Sequence, residues 1–172
     1  MIDIIAAKLN LQAESSSWQE YRVCLGDLAQ HPLIHSLNDF GHHLPFSRLD
    51  HSLHVSYLAY TACKRMGLDF QSAARGGLLH DFFFYDSRVT KPARGIHCIC
   101  HPDIALENAE RHFSLNRIER DIILKHMWPV TIIPPMFRES YVVTILDKYC
   151  ALREVAVLGS RLGPSSPETN RT

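Results

Sequence analysis

Residues 73–84 of the chain read AARGGLLHDFFF, and two ionisable side chains, His80 and Asp81, interrupt the apolar run that fills most of this segment. A buried carboxylate without a partner is costly, so such a pair needs compensation. Ordinary hydrogen bonds could provide it, and so could a metal cation that takes His80 as a second ligand. Asp69 is expected to cap a helix over residues 71–83 that carries the pair. The segment by itself leaves both explanations open.

A helical period dominates the sequence on both sides of this segment. Between residues 50 and 66 the apolar residues recur at the i, i+3, i+4, i+7 spacing of an amphipathic helix, and Gly67 follows as a C-terminal signal. Similar signals predict helices over residues 1–12, 15–30, 101–113, 114–126 and 139–158. The stretches 31–46, 85–100 and 128–137 contain proline and other turn residues and are expected to be loops. Residues 141–145 (YVVTI) could form a strand alone, but the helical run around them favours helix.

These elements predict an all-α fold, a single helical bundle of five or more core helices. A length of 172 residues suffices for one domain with a sizeable core. We expect residues 1–41 to be an N-terminal helical segment and loop packed on the core, residues 42–158 to be the core domain, and residues 159–172 to be a disordered tail.

Charge and composition narrow the classes of function. The 18 Lys and Arg residues balance 18 Asp and Glu residues, and the pI is near 7.2, so no basic surplus exists to replace the counterions of a polyanion. We therefore expect neither a nucleic acid nor a membrane as partner. The N-terminus lacks a signal-peptide pattern, and no stretch approaches about 18 unbroken apolar residues. Five scattered cysteines indicate reduced thiols in a cytoplasmic protein. The sequence does not predict the oligomeric state.

Histidine is unusually frequent, with 11 residues, and several histidines lie where a helix could bury them. Each of His51, His101 and His126 could be an ordinary core or loop histidine, and Asp147 could be a solvated helical carboxylate. Together with the His-Asp pair they offer nitrogen and oxygen ligands from four or five helices, with no cysteine at a matching position. Mixed imidazole and carboxylate ligands suit Fe, Mn, Co, Ni or Zn and leave positions for water, which is typical of a catalytic metal site.

Two of these assignments have a competing histidine nearby. His54 lies one turn after His51, and His97 lies four residues before His101. We prefer His51 for its spacing from Arg48, and His101 for the proline and the predicted helix that follow it.

Five segments, taken in order, resemble the motifs of the HD-domain metal-dependent phosphohydrolase superfamily. They are RLDHSLHV (48–55), AARGGLLHD (73–81), HPDIALENA (101–109), IILKH (122–126) and ILDK (145–148). The resemblance covers residues 42–150 and implies an all-α fold with a metal centre among the helices. The two histidines between the His-Asp pair and the last Asp are similar to those of the binuclear subgroup, as in the bacterial diadenosine tetraphosphate hydrolases.

The resemblance also implies a role for each ligand by position. His51, His80, Asp81 and Asp147 would hold a first divalent transition ion, such as iron or manganese. Asp81 would bridge to a second ion, and the second ion's ligands would be completed by His101 and His126.

The function implied is hydrolysis of a phosphoester or phosphoanhydride in a small phosphorylated molecule such as a nucleotide, by metal-activated hydroxide. His80 and Asp81 would be central to catalysis, while Arg48 and Lys148 would take up phosphoryl charge. Three cations in the following loop, Arg88, Lys91 and Arg94, could meet the phosphates, and Trp128 could stack on a base. In place of the Gly or Lys that many members carry after the pair, this chain has FFFYD (82–86), which leaves the substrate class open. The alternatives are a di-iron oxygenase of the HD-domain type and a non-catalytic metal-binding module.

Overall fold

The computed structural model describes residues 8–9, 16–41, 46–86, 89–90, 92 and 95–161. In this part of the chain the α-helices are α1 (Ser16–Leu25), α2 (Pro32–Ser36), α3 (Arg48–Arg65), α4 (Phe70–Leu79), α5 (His97–His112), α6 (Arg117–Lys125) and α7 (Arg138–Arg161). Two short 3₁₀ helices, Gly26–Gln30 and Leu37–Asp39, flank α2. The described residues contain no strand, which confirms the predicted all-α class.

Side-chain caps set where the helices around the site begin. Ser47 and Asp50 form a reciprocal capping box at the start of α3, with the Ser47 amide donating to Asp50 Oδ2 over 2.9 Å. Asp69 caps α4 as predicted, because its Oδ1 accepts from the amide of Ser72 over 2.9 Å. Such caps satisfy amide groups that the first turn of a helix leaves without partners.

The helices α3 and α4 pack closely because α4 carries a glycine at their contact. A Cβ atom built on Gly77 would lie 3.0 Å from Cα of Ser56 on α3, tighter than an ordinary contact. The Ser56 hydroxyl donates to the carbonyl of Ala74 on α4 over 2.6 Å and accepts from the Tyr21 hydroxyl of α1 over 2.7 Å. These two hydrogen bonds join α1, α3 and α4.

Two apolar clusters form the core. The larger cluster joins α1, α3, α4 and α5 and includes Trp18, Tyr21, Leu53, Leu78 and Phe82. The smaller cluster lies among α3, α4, α6 and α7 and includes Val55, Ala73, Ile122 and Val143. Residues 16–41 contribute side chains to the larger cluster, so they pack on the same core as the later helices.

The ends of two helices differ from those predicted. Instead of continuing to Phe83, α4 ends at Leu79, and Arg48 binds the main-chain oxygens of Phe83 and Tyr85 in the segment that follows. Instead of opening at His101, α5 begins at His97, so Pro102 lies inside the helix.

Other differences are smaller. The expected loop 31–46 contains the short helix α2, which has Pro32 in its first turn, where a missing amide hydrogen does no harm. Residues 141–145 are helical, as preferred, and α7 continues to Arg161, so residues 159–161 of the expected tail are helical. The rest of that tail, and the predicted helix 1–12 apart from residues 8–9, lie outside the described residues.

Two further features concern the described residues. All five cysteines are free thiols, and four of them are buried. None of the described helices has both the length and the hydrophobicity needed to cross a membrane.

Candidate metal centre

The six side chains expected to bind metal lie at one place in the bundle, although they come from five different elements. Near its N-terminus α3 carries His51, and His80 and Asp81 follow directly after the last residue of α4. The second turn of α5 carries His101, His126 caps the C-terminus of α6, and Asp147 lies in the middle of α7.

The six residues form two groups that could each hold a metal ion. We call His51, His80 and Asp147 the first ligand group, and Asp81, His101 and His126 the second ligand group. Within each group the ligand atoms lie within 4.8 Å of one another.

In the first ligand group, Asp147 lies between the two imidazoles. Its Oδ1 is 3.0 Å from His51 Nε2 and 3.5 Å from His80 Nε2. All three residues come from different elements, so their convergence depends on the packing of α3, α4 and α7.

In the second ligand group, the two histidines lie close to one carboxylate oxygen. Asp81 Oδ1 is 3.3 Å from His101 Nε2 and 3.7 Å from His126 Nε2. The other oxygen, Oδ2, lies 3.9 Å from His80 Nε2, which belongs to the first ligand group. The two oxygens of Asp81 therefore face different groups, as a bridging carboxylate must.

Every histidine of the two groups has its Nδ1 atom held by a hydrogen-bond acceptor. For His80, His101 and His126 the acceptors are the main-chain oxygens of Gly77, His97 and Ile123, at 2.8 to 2.9 Å. For His51 the acceptor is the carboxylate of Glu154, at 2.9 Å. A neutral imidazole has one proton, so placing it on Nδ1 leaves the Nε2 lone pair to bind a metal.

Two details of the Nε2 atoms favour a cation at this place. The Nε2 atom of His80 is buried and has no hydrogen-bond partner among the described residues. The Nε2 atoms of His101 and His126 lie 2.8 Å apart. Unless one ring is doubly protonated, two lone pairs face each other there, and a metal ion would satisfy both. The donor set therefore fits a transition ion.

The first ligand group has a strongly negative environment. Burial alone would lower the pKa of His51, but the carboxylates of Asp147 and Glu154 outweigh it and raise the pKa to about 10. The pKa of His80 is raised in the same way, because Asp81 and Asp147 outweigh its burial. A field that attracts protons to these imidazoles also attracts divalent cations.

In the second ligand group the pKa of one histidine is lowered, and the pKa values of the carboxyls of both groups are lowered as well. Burial, and then the neighbouring His101 and His80, lower the pKa of His126 to about 3, so this ring is neutral near pH 7. Burial opposes ionisation of Asp81 and Asp147, but the histidines beside them hold the pKa of each carboxyl well below its usual range. Both carboxylates are thus available in the form that binds a metal.

The two groups border a cleft of about 600 Å³. Four of the six candidate ligands line it, and its other walls include Phe83, His97, Met127, Val130, Lys148 and Arg48. The volume is in the range of small-molecule binding pockets.

The two cations expected to assist catalysis are engaged with the main chain. The buried guanidinium of Arg48 donates to the oxygens of Phe83 and Tyr85 over 2.7 and 3.1 Å and lies 3.7 Å above the Phe83 ring. The ammonium of Lys148 donates to the oxygen of His126 over 2.8 Å and lies 3.8 Å from Asp147 Oδ2. Arg48 therefore shapes the segment after Asp81, whereas Lys148 lies at the rim of the metal site.

The competing histidines are not members of either ligand group. His54 bonds through Nδ1 to the oxygen of Asp50 over 2.8 Å. The His97 ring stacks on His101 with centroids 4.6 Å apart, and its Nδ1 atom shares a hydrogen bond with the Tyr85 hydroxyl over 2.9 Å. It lines the cleft and supports a candidate ligand.

The remaining predicted substrate contacts involve Trp128 and three loop cations. Trp128 packs edge-on against Tyr141, with ring centroids 5.8 Å apart, and is not among the residues that line the cleft. The predicted loop cations Arg88, Lys91 and Arg94 lie outside the described residues.

Sequence reasoning missed Glu154. Its carboxylate is buried and binds His51, yet nothing in its neighbourhood suggested a metal site. The available signal was its position seven residues after Asp147, which places both acids on the same face of α7.

The comparisons with known proteins are limited to one partial similarity. No protein-family model and no solved structure matches the chain. Over 70 residues the chain is 41% identical to a ribonuclease Y of Protochlamydia amoebophila (strain UWE25). The matched segment is 41% of this chain but 13% of that protein, so the chain spans a small part of its relative's length.

Proposed function

We propose that this chain is a metal-dependent phosphohydrolase of the HD-domain type, which cleaves a phosphoester or phosphoanhydride at the two ligand groups. One observation carries the proposal. Four buried imidazoles have their Nδ1 atoms held by acceptors and direct their Nε2 atoms toward two ionised carboxylates beside a cleft. This arrangement prepares side chains for metal binding and leaves room for a substrate.

Each ligand group would hold one divalent transition ion, and Asp81 would contribute one oxygen to each. Bound ions of this kind supply Lewis acidity, which activates water near neutral pH and neutralises phosphoryl charge. The protein holds the ligands rigidly, because main-chain oxygens and a buried carboxylate fix the orientation of every imidazole.

The other residues of the cleft would bind and orient the substrate. Lys148 is the candidate to contact a phosphoryl oxygen, because its ammonium lies 3.8 Å from Asp147 at the edge of the first ligand group. Arg48 would act on the substrate indirectly, since its hydrogen bonds hold the main chain that follows Asp81. The apolar walls formed by Phe83, Met127 and Val130 would exclude water from the non-phosphate part of the substrate.

For the substrate, the proposal specifies the type of bond that is cleaved, a phosphoester or a phosphoanhydride. A small phosphorylated molecule such as a nucleotide fits a cleft of about 600 Å³. The partial relative is named a ribonuclease, so RNA belongs in the same test, as a phosphodiester.

The test is hydrolysis by metal-free protein reloaded with Mn²⁺, Fe²⁺, Co²⁺, Ni²⁺ or Zn²⁺. The substrates are nucleoside mono-, di- and triphosphates, a dinucleoside polyphosphate and a short RNA. We expect phosphate or nucleotide release with at least one ion, and its loss in the His51→Ala and Asp81→Asn variants. His54→Ala is the matched control, because His54 lies on the same helix and belongs to neither ligand group.

Three outcomes would contradict the proposal. They are no hydrolysis of any substrate with any ion, equal activity in the Asp81→Asn variant, and equal loss in the His54→Ala control. Uptake of dioxygen with an organic substrate by the iron-loaded protein, without phosphate release, would select the oxygenase instead.

A further inference from the structure

The structure assigns Glu154 as a positioning residue for the first ligand group, and this inference rests on the metal centre of the proposed function. We propose that Glu154 fixes His51 in the form that binds metal, and that it supports the ion of the first ligand group selectively. Glu154 is neither among the residues predicted from the sequence nor a member of either candidate group.

Helix α7 holds the His51 ring from both of its nitrogen atoms. Asp147 Oδ1 lies 3.0 Å from Nε2, and Glu154 Oε1 lies 2.9 Å from Nδ1. Two turns of α-helix separate the two acids, about 10.5 Å along the axis. The ring is completely buried and the Glu154 side chain is only 6% exposed, so water competes little for these contacts.

The position of Glu154 excludes it as a ligand of the same ion. It approaches the Nδ1 side of the ring, whereas the candidate ligands Asp147 and His80 lie around the Nε2 side. The two nitrogens of an imidazole point away from each other, so a group bound at Nδ1 acts on an Nε2-bound metal only through the ring.

Glu154 differs from the acceptors of the other three histidines in its charge. Those acceptors are neutral main-chain oxygens, which no side-chain substitution removes. A carboxylate forms a stronger, charge-assisted bond and makes the opposite nitrogen a better electron donor. A change at Glu154 should therefore weaken one ion site and spare the other.

The experiment measures binding of Co²⁺ alone to the metal-free full-length chain, by calorimetry and visible absorption. The His51→Ala variant first identifies which Co²⁺ equivalent depends on the first ligand group. Once each affinity is corrected for the protons released on binding, Glu154→Ala should weaken that equivalent by roughly 10- to 100-fold, with little change in any other. Glu154→Gln should fall between wild type and Glu154→Ala, because the amide oxygen still accepts from Nδ1 but has no charge.

The matched control is Glu139→Gln, the same substitution at another buried acid of α7. Glu139 accepts from the amide of Asp69 over 3.0 Å and contacts neither ligand group, so this variant should leave both Co²⁺ equivalents unchanged. A purely structural role for Glu154 predicts equal weakening of every equivalent in proportion to lost stability, and that result would overturn the inference.

A second measurement uses the unaltered protein and so does not depend on whether the variants fold. In the Zn²⁺-loaded protein, nitrogen NMR of the histidine rings should show the proton of His51 on Nδ1, and an unprotonated Nδ1 would overturn the inference. If wild type binds no ion, the proposed function fails as well. If wild type binds Co²⁺ and the Glu154 variants bind it equally well, only this inference fails.

Discussion

Metal uptake by the first ligand group should release protons, because the metal-free protein holds a proton where the ion must bind. The two carboxylates that contact His51 raise its pKa to about 10, so almost every molecule carries this proton near pH 7. Removing it across about three pH units costs about 4 kcal/mol, equivalent to about 1,000-fold in affinity. We therefore expect each proton released to raise the affinity for that ion by about tenfold per pH unit below the pKa.

The assay is calorimetric titration with Mn²⁺ in buffers of different ionisation enthalpy, from about pH 6.5 to about pH 8.5. The dependence of the heat on the buffer gives the number of protons released, which should be between about one and two, since the pKa of His80 is raised as well. His126 should contribute none, because its pKa is lowered to about 3. An affinity that stays constant over this range, with no proton released, would refute the electrostatic argument.

Four further predictions concern stability and local order. In the metal-free protein, the raised pKa of His51 stabilises the fold, and this contribution is fully present below pH 6.5, the ordinary pKa of a histidine. It should be lost as the pH rises toward 10. Urea unfolding should show the loss in wild type and less of it in His51→Gln. Gly77→Ala should lower the free energy of unfolding by about 1–2 kcal/mol despite its better helix propensity, because its Cβ would meet the Ser56 backbone at 3.0 Å; an unchanged melting temperature would contradict this close contact. Arg48→Lys should destabilise the protein by about 1–3 kcal/mol in thermal unfolding, since one ammonium does not reproduce the guanidinium's two bonds to Phe83 and Tyr85 together with its stacking on the Phe83 ring. Asp121→Ala should speed hydrogen exchange at the amides of Met136 and Phe137, which donate to Asp121 Oδ2 over 2.8 and 3.3 Å; unchanged protection would show that this carboxylate does not order the segment before α7.

Much of the helical fold was predictable because its signals are local. The apolar period and the cap at Asp69 depend on residues a few positions apart, so the sequence alone indicates them. The candidate ligands were also visible, because ionisable residues such as His80 and Asp81 are conspicuous within apolar segments.

The remaining features depend on contacts between distant residues. The segment after α4 is bonded to Arg48, which lies 35 and 37 residues before the oxygens that it binds. Glu154 contacts His51 across 103 residues, and in the sequence it resembles any other helical glutamate. The main-chain partners of Arg48 were likewise hidden, because a cation beside a ligand motif gives no sign of which distant oxygens it binds.

His80 and Asp81 are consecutive residues that serve different ligand groups. Consecutive α-carbons are about 3.8 Å apart across a trans peptide, whatever the surrounding helices do. Part of the spacing between the two candidate ion positions is therefore covalent. Substitutions elsewhere in the bundle can tilt or loosen either position, but none of them can lengthen the single peptide unit that connects the two.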